Sequence, residues 1–368
     1  MAIHRESSLR DAVVSVGLAA MSNVTQDRAL SLAAREKYVA TINVVQRAVE
    51  NPESANVNQT FKIILMLSLY EMVCCTPNRI DSWIVHLDGV AALAKQTSFE
   101  DAMKSDHPRP QLQFYFILIV RYFLTQGEIP SDLLDWSPGC VPSVKPDVAP
   151  AVRLVGILIR FMKLHSSIQH HRNPDPETTA GSAQACDAEL ENWENQLPRK
   201  WMFSLNESTD LHNTFKGKYL LYNDMWASRI LNHYFWARLM VNEMIALYLS
   251  RLETPTLYDL QRRQRALDTI SRMATYICAG AASQMGVFAC RLPLGGLKHL
   301  PPLNGVFMLM FPLAVAGGAA GAPKEVHEWV LETLQRIGET MGIRRALETI
   351  PMLNQARERK MKELTTGK

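Results

Sequence analysis

The segment Leu112–Leu124 (LQFYFILIVRYFL) sets the narrowest limit on how this chain can fold. Its apolar side chains would surround a helix on every side, and a helix of that kind is buried among other helices. In Val326–Met341, by contrast, apolar residues recur at steps of three and four with charges on the opposite face, which is typical of an amphipathic helix. No run alternates apolar and polar residues long enough to predict a strand. The sequence therefore predicts an all-α fold, a multi-helix bundle.

Prolines, glycines and polar residues gather in three stretches that predict loops between helices. Ser137–Pro150 holds four prolines, each of which stops a helix interior. His171–Ser182 is polar, and Arg291–Pro302 carries both prolines and glycines. With 368 residues, 47% of them hydrophobic, the chain is long enough for one large helical core. We therefore predict a single domain over residues 1–368, with possible subdivisions at 137–150 and 171–182.

Two segments bear on membranes and secretion. Val306–Ala322 is uncharged and approaches the length of a membrane span, but Pro312 and three glycines interrupt it. It therefore predicts a buried helix followed by a turn. The N-terminal run MAIHRESSLRDAVV places charged residues where a secretory signal needs an apolar stretch. We expect neither a membrane span nor a signal peptide.

A motif over Leu65–Lys95 (LMLSLYEMVCCTPNRIDSWIVHLDGVAALAK) places an apolar helix ending near Glu71 before a second helix that carries Trp83, His86 and Gly89. This pattern resembles the regulatory, or middle homology, domain of fungal zinc-cluster transcription factors, which has the form LLxLYE, a variable loop and SWxxHxxGxxxLL. The resemblance implies an all-α regulatory domain and extends roughly from Leu9 to Leu347. The other segments that agree, in the expected order, are Arg121–Trp136, Trp226–Met244 and parts of Ile277–Leu347.

The zinc-cluster module that precedes this domain in the family is not evident here. That module binds two zinc ions through six closely spaced cysteines, whereas the six cysteines of this chain are scattered and form no C-x2-C pair. They are Cys74, Cys75, Cys140, Cys186, Cys278 and Cys290. The net charge of +3 and the pI near 8.5 are low for a duplex DNA-binding domain, whose pI usually exceeds about 9. We expect no metal, no cofactor and no direct nucleic-acid contact, so either the zinc cluster lies outside this chain or a partner protein binds DNA.

A polar triad offers the first candidate for catalysis. The sequence contains no phosphate-binding loop and no motif of a dinucleotide, zinc-hydrolase or serine-hydrolase site. Asp224, Ser228 and Asn232 stand four residues apart and would share one helix face, where their oxygens could hold a divalent cation. Class I terpene cyclases use a triad at this spacing, although theirs ends in a carboxylate. The alternative is a polar stripe that hydrogen-bonds neighbouring helices, and Mg²⁺ is expected only if the protein is an enzyme.

Two further candidates could serve catalysis or ligand binding. His86 and Asp88 lie close together in SWIVHLDGV, and a histidine can act as a general base near neutral pH. A structural role for Trp83 and His86 is the alternative, since the family keeps these positions without catalysis. Cys278 and Cys290 flank a segment of small residues that contains Gln284 and precedes His299. Either thiol would need a neighbouring base or a helix N-terminus to become a nucleophile, and burial is the default.

Methionines and aromatic rings crowd one helix and predict either a pocket for an apolar small molecule or ordinary core packing. They are Met225, Trp226, Tyr234, Phe235, Trp236, Met240, Met244 and Tyr248. We expect any central cavity to be lined by residues from Trp83–Gly89, Asp224–Tyr234 and Cys278–Met285. The predicted ligand-binding residues are Trp83, His86, Trp226, Tyr234, Cys278 and Gln284.

Two hypotheses about function follow. The resemblance implies a transcription-related regulator that controls genes, expected to be those of secondary metabolism, through an apolar ligand or a DNA-binding or transcription-machinery partner. Such a protein is expected in the nucleus, and otherwise in the cytoplasm. The alternative is an all-α pocket enzyme, a cyclase or isomerase of a terpenoid or polyketide, that arose from the same domain. The sequence leaves a homo-oligomer open in both cases.

Overall fold

A computed structural model describes residues 2–50, 57–75, 83–86, 89, 108–127, 129, 144–170, 174–285 and 303–366. The fold is all-α, as the sequence predicts. The chain divides into two compact units, one formed by Met1–Val144 with Leu334–Thr349 and the other by Lys145–Thr333 with Ile350–Lys368. The first boundary falls within the proline-rich stretch 137–150. A single domain over 1–368 stays a prediction.

The first unit is built on long helices that pack in pairs. Helix α1 packs against both α2 and α3. The small Ala12 of α1 meets Ile63 and Leu67 of α3 in an apolar cluster. Helix α4 is buried throughout residues 112–119, which confirms the prediction from its all-round apolar surface. The bounds of these helices are α1 Ala2–Thr25, α2 Arg28–Glu50, α3 Val57–Cys74 and α4 Arg109–Thr125.

The second unit is organised around one buried helix, α7, which packs against α6, α8 and α9. Its aromatic run explains why, since Tyr234, Phe235 and Trp236 are all fully buried. The helix starts are capped locally: Asp175 accepts from Thr178 N, and Thr256 and Asp259 form a capping box. The bounds are α5 Ala149–His170, α6 Pro176–Asn195, α7 Met225–Ser250, α8 Leu257–Gln284, α9 Leu303–Gly318, α10 Lys324–Met341 and α11 Arg344–Thr366.

A short antiparallel hairpin departs from the sequence prediction, which contained no strands. Strand β1 (Phe203–Glu207) pairs with β2 (Lys218–Tyr222), and β2 packs against α8. The Ser283 hydroxyl of α8 donates to the Leu220 carbonyl, and Gly280 leaves room for the Tyr222 hydroxyl. Each strand is only five residues long. The sequence of β1 alternates over only four residues and that of β2 does not alternate, so neither segment gave a clear strand signal.

The apolar segment near the C-terminus forms α9, which includes Pro312. Val306, Leu309 and Leu313 of this helix are fully buried. Among the described residues, no helix combines the length and hydrophobicity that crossing a bilayer requires.

Candidate functional site

Two buried amides, Asn232 of α7 and Gln284 at the end of α8, are the most unusual polar groups of the second unit. Asn232 is 2% exposed and Gln284 is 1% exposed. Neither Asn232 Nδ2 and Oδ1 nor Gln284 Oε1 has a hydrogen-bond partner among the described residues. Gln284 Nε2 makes only a long contact of 3.5 Å with the Ser228 carbonyl. Almost all buried polar groups in proteins form hydrogen bonds. Asn232 and Gln284, which we call the amide pair, therefore require an explanation.

The members of the predicted triad, Asp224, Ser228 and Asn232, differ in their hydrogen bonds. Asp224 is the N-cap of α7, where its Oδ1 accepts from Trp226 N at 2.7 Å. The Ser228 hydroxyl donates to the Met225 carbonyl at 2.8 Å. Two members therefore stabilise the first turn of the helix, and Asn232 is the member whose side-chain atoms have no partner among the residues that the structure describes. The described residues contain no group of three His, Cys, Asp or Glu that could hold a metal ion. Catalysis by this triad stays a prediction.

Cys278 and Tyr234 are both inaccessible. Cys278 is fully buried, and burial raises the pKa of its thiol far above the usual range, so the thiol is protonated. The Tyr234 hydroxyl donates to Glu194 Oε2 at 2.7 Å and accepts from Arg238 Nη1 at 2.7 Å. Cys290 and His299 lie outside the described residues. Ligand binding by Cys278 and Tyr234 stays a prediction.

In the first unit, the structure brings together two motif residues through a third that the sequence did not indicate. The Tyr38 hydroxyl of α2 donates to Glu71 of α3, and its oxygen lies 2.9 Å from His86 Nε2. Glu71 Oε1 and His86 Nε2 are 4.0 Å apart. Burial, followed by the hydrogen bond to Glu71, raises the pKa of Tyr38 far above its usual value, so this hydroxyl remains a donor. The bond to His86 then requires a proton on Nε2.

The environment of this cluster favours a structural role for the motif. The Tyr38 ring stacks on Tyr70 at a centroid distance of 4.1 Å. Trp83 is 7% exposed, and its Nε1 has no partner within the described part of the chain. Asp88, the predicted companion of His86, lies outside the described residues. The sequence could have suggested Glu71, because it belongs to the LYE motif, but nothing marked Tyr38.

The second unit contains a charge network that sequence reasoning missed entirely. Arg238 of α7 is 2% exposed. It bonds three carboxylates on one face of α6: Nε reaches Asp187 at 3.0 Å, Nη2 reaches Glu191 at 2.8 Å and Nη1 reaches Glu194 at 3.0 Å. The spacing of the acidic residues, four and then three positions apart, was the available signal, because it places them on one helix face. Their partner could not be read from that spacing.

A cavity of about 590 Å³ opens above this network between α6, α7 and α8. We call it the α6–α8 groove. None of the residues predicted to bind a ligand lines it. The lining residues are Gln184, Asp187, Ala188, Glu191, Arg238, Asn242, Ile245, Tyr258, Arg262, Arg265, Ala266, Asp268, Thr269 and Arg272.

A buried histidine predicts how stability depends on pH. Burial lowers the pKa of His233 to about 3, and its Nδ1 accepts from Trp236 Nε1 at 3.1 Å, so the ring is neutral in the folded protein. In the unfolded chain the pKa returns to about 6.5. The neutral His233 ring therefore makes its full contribution to the free energy of unfolding above pH 6.5, and this contribution decreases as the pH falls toward 3. Because of His233, we expect the free energy of unfolding to be about 2 kcal/mol lower at pH 5 than at pH 7.

Urea unfolding at pH 7 and pH 5 measures this effect. His233→Gln keeps an acceptor for Trp236 but cannot be protonated, so its stability should change less between the two pH values than that of the wild type. His170→Gln, at an exposed position of α5, is the matched control and should behave like the wild type. Equal pH dependence in all three proteins would contradict the assignment.

Comparison with known proteins supports the resemblance carried by the motif residues. The family model described as the fungal specific transcription factor domain matches residues 1–200. This range includes the Leu65–Lys95 motif and the segment Arg121–Trp136. No curated protein and no solved structure matches the chain. The chain therefore belongs to the family of the fungal specific transcription factor domain, and its function is that of a transcription-related regulator.

Proposed function

We propose that this regulator responds to a small, mostly apolar ligand held by the amide pair Asn232 and Gln284. The observation that carries the proposal is the set of three buried amide atoms that have no hydrogen-bond partner in the described part of the chain. Each unpaired buried group costs about 1–3 kcal/mol in the ligand-free protein. A ligand that supplies the missing hydrogen bonds recovers this free energy on binding.

The chemistry of the amide pair defines the ligand class. Asn232 offers one donor group and one acceptor, and Gln284 offers an acceptor. Met285 directly follows Gln284, and Trp226 precedes Asn232 on the same helix; both are buried. A ligand with a carbonyl or ether oxygen and a hydroxyl on an otherwise apolar skeleton satisfies both requirements. Secondary metabolites include many such molecules, which is consistent with the proposed control of secondary-metabolism genes.

Location and partners complete the proposal. A transcription-related regulator acts in the nucleus, so we propose a nuclear location, and a fluorescent fusion observed in fungal cells tests it. We also propose that a partner protein brings this chain to DNA. The enzyme alternative gains no support from the triad, because Asp224 and Ser228 already bond to backbone groups.

The variant Asn232→Leu tests the ligand site through stability. Leucine has the same number and branching of side-chain heavy atoms and removes the two polar atoms of Asn232 that lack partners among the described residues, so the ligand-free protein should gain about 1–2 kcal/mol of unfolding free energy. Urea unfolding measures the gain. The matched control is Asn242→Leu in the same helix, also at 2% exposure, where Nδ2 donates to Asp187 Oδ1 at 2.7 Å and to the Arg238 carbonyl at 2.8 Å. That substitution should destabilise the protein.

A reporter assay tests the regulatory function directly. The full chain is fused to an unrelated DNA-binding domain in a fungal host, and transcription from its target promoter is measured. We expect the fusion to change transcription relative to the DNA-binding domain alone, and Asn232→Leu to alter that change while leaving protein levels intact. Equal transcription with and without the chain would count against regulation. A loss of stability in Asn232→Leu as large as in Asn242→Leu would count against the ligand site.

A further inference from the structure

We infer that the ligand of the amide pair carries one carboxylate, and that Arg229 of α7 binds this carboxylate. The inference names the chemical class of the ligand proposed above, an oxygenated carboxylic acid, and rests on that proposed function. It depends on the missing countercharge of Arg229, on the position of this residue relative to Asn232 and Gln284, and on the single charge of one face of α7.

Arg229 is a half-buried cation that no described residue neutralises. Its Nε is buried and has no hydrogen-bond partner among the described residues, and none of its nitrogens lies within ion-pair distance of a described carboxylate. Burial lowers the pKa of its guanidinium group, because the charged form loses water and gains no ion pair in return. A charge removed from water without a partner is unfavourable, so a bound anion would stabilise this position.

Two other arginines of the second unit show how the chain usually treats a buried guanidinium group. Arg238, later in the same helix, bonds three carboxylates of α6. Arg262 of α8 bonds Glu177 and Asp259. In both cases the protein itself supplies more than one carboxylate. At Arg229 the described residues supply none, so we assign the countercharge to a molecule from outside the chain.

The position of Arg229 brings its charge next to the amide pair. Arg229 and Asn232 lie three positions apart in α7, so their side chains are neighbours on one helix face, with about 5–6 Å between their Cβ atoms. Gln284 lies at the same end of α7, because its Nε2 contacts the carbonyl of Ser228, the residue before Arg229, at 3.5 Å. One ligand can therefore contact the guanidinium group and an amide at the same time.

The charge of this helix face favours a carboxylate over a phosphate. Met225, Arg229, Asn232 and Trp236 share the face at helical spacing, and Arg229 is the charged member of the four. Its single positive charge matches the single negative charge of a carboxylate, whose two oxygens fit the guanidinium fork. A phosphate monoester would bring about two negative charges to one cation. The amide pair then binds the oxygen atoms elsewhere on the ligand.

Isothermal titration calorimetry of the full chain with matched acids and esters tests the inference. The probes are hydroxydecanoic acids that carry the hydroxyl group at different carbons, each paired with its uncharged methyl ester. We expect at least one acid to bind, and to bind about tenfold more tightly than its ester, as a hydrogen bond to a charged group would give. Decanoic acid, which lacks the hydroxyl group, should bind more weakly than that acid because it leaves the amide pair without a partner.

Two substitutions of Arg229 assign the contact. Arg229→Met keeps an unbranched side chain and removes the charge, so the acid should lose its advantage and bind about as weakly as the ester. Arg229→Lys keeps the charge without the guanidinium fork and should retain part of the preference for the acid. Far-UV circular dichroism and urea unfolding of both variants check that the fold is intact.

The matched control is Arg153→Met in α5. Arg153 is also half-buried, and its Nε has no partner among the described residues. It lies one turn after Pro150, whose carbonyl accepts from Trp193 Nε1 at 2.8 Å. Trp193 stacks on Tyr234, which points away from the Asn232 face of α7 because the two residues are two positions apart. Arg153→Met should therefore keep the full preference for the acid.

Three results would overturn the inference: no binding of any acid at about 1 mM, equal binding of acid and ester, or an unchanged preference for the acid in Arg229→Met. The variant Asn232→Leu distinguishes this failure from that of the proposed function. If acid and ester bind equally and Asn232→Leu weakens both, the carboxylate assignment alone is wrong and the amide pair remains the ligand site. If Arg229→Met weakens acid binding and Asn232→Leu does not, the ligand site proposed above is wrong and this inference fails with it.

Discussion

Replacing Arg238 with methionine is expected to lower the free energy of unfolding by about 3 kcal/mol, the lower end of the range for breaking a buried ion pair. The guanidinium group is almost fully buried and holds Asp187, Glu191 and Glu194 together on one face of α6. Its removal leaves three neighbouring carboxylates without a countercharge. The lower end applies because Glu191 is more than half exposed and water can still solvate it. Urea unfolding measures the loss.

Two further variants distinguish the effect of the Arg238 charge network from a general effect of losing an arginine. Arg160→Met removes an ion pair with Glu189 in which both side chains are substantially exposed, so it should cost less than about 1 kcal/mol. Adding Asp187→Asn to Arg238→Met should recover part of the loss, because one unpaired negative charge disappears. If Arg238→Met cost no more than Arg160→Met, the network would not contribute to stability as we describe.

Replacing Gly342 with alanine is expected to destabilise the first unit by about 3–5 kcal/mol, because two effects act together. Gly342 lies between α10 and α11 at φ +69°, in the left-handed region that disfavours a side chain. A Cβ at this position would also clash with the Ala20 carbonyl oxygen of α1. Neither backbone can yield easily, since Asn23 Nδ2 donates to the carbonyls of both Gly342 and Val73 at 2.8 Å.

The matched control is Gly181→Ala in α6. That glycine is exposed in a helix, and a Cβ there meets nothing within 4 Å. Alanine should therefore stabilise the protein by about 0.5–1 kcal/mol through its higher helix propensity. Urea unfolding followed by circular dichroism measures both variants, and aggregation of Gly342→Ala on expression would agree with the expected loss. Equal stability of Gly342→Ala and the wild type would show that the turn can rearrange.

The success of the helix prediction and the failure for the hairpin have a common cause. Periodicity reports which side of a segment is apolar, and in α4 the apolar residues surround the helix, so burial followed directly. The hairpin Phe203–Tyr222 depends instead on α8, whose Ser283 hydroxyl bonds Leu220. A contact between residues 63 positions apart leaves no periodic signal in either segment.

For the candidate sites too, the sequence identified some of the residues, and only the folded structure decided the rest. The sequence drew attention to Asn232 as the last member of a polar triad with helical spacing, and to Gln284 as a residue of the small-residue segment between Cys278 and Cys290. Which triad members keep unpaired atoms was decided by the position of Asp224 at the start of α7, where it caps the helix. Tyr38, which joins Glu71 and His86, could not be predicted, because the three residues lie on separate segments.

The sequence by itself determined that this protein is all-α and belongs to the family of the fungal specific transcription factor domain. Both conclusions depend on patterns within short segments, which do not need the folded chain. Only the tertiary structure decided which charges are neutralised: Arg238 lies 44 to 51 positions from its carboxylate partners, whereas Arg265 and Arg272 have no ion-pair partner among the described residues. Electrostatic energy depends on distance in space and on burial, and folding sets both.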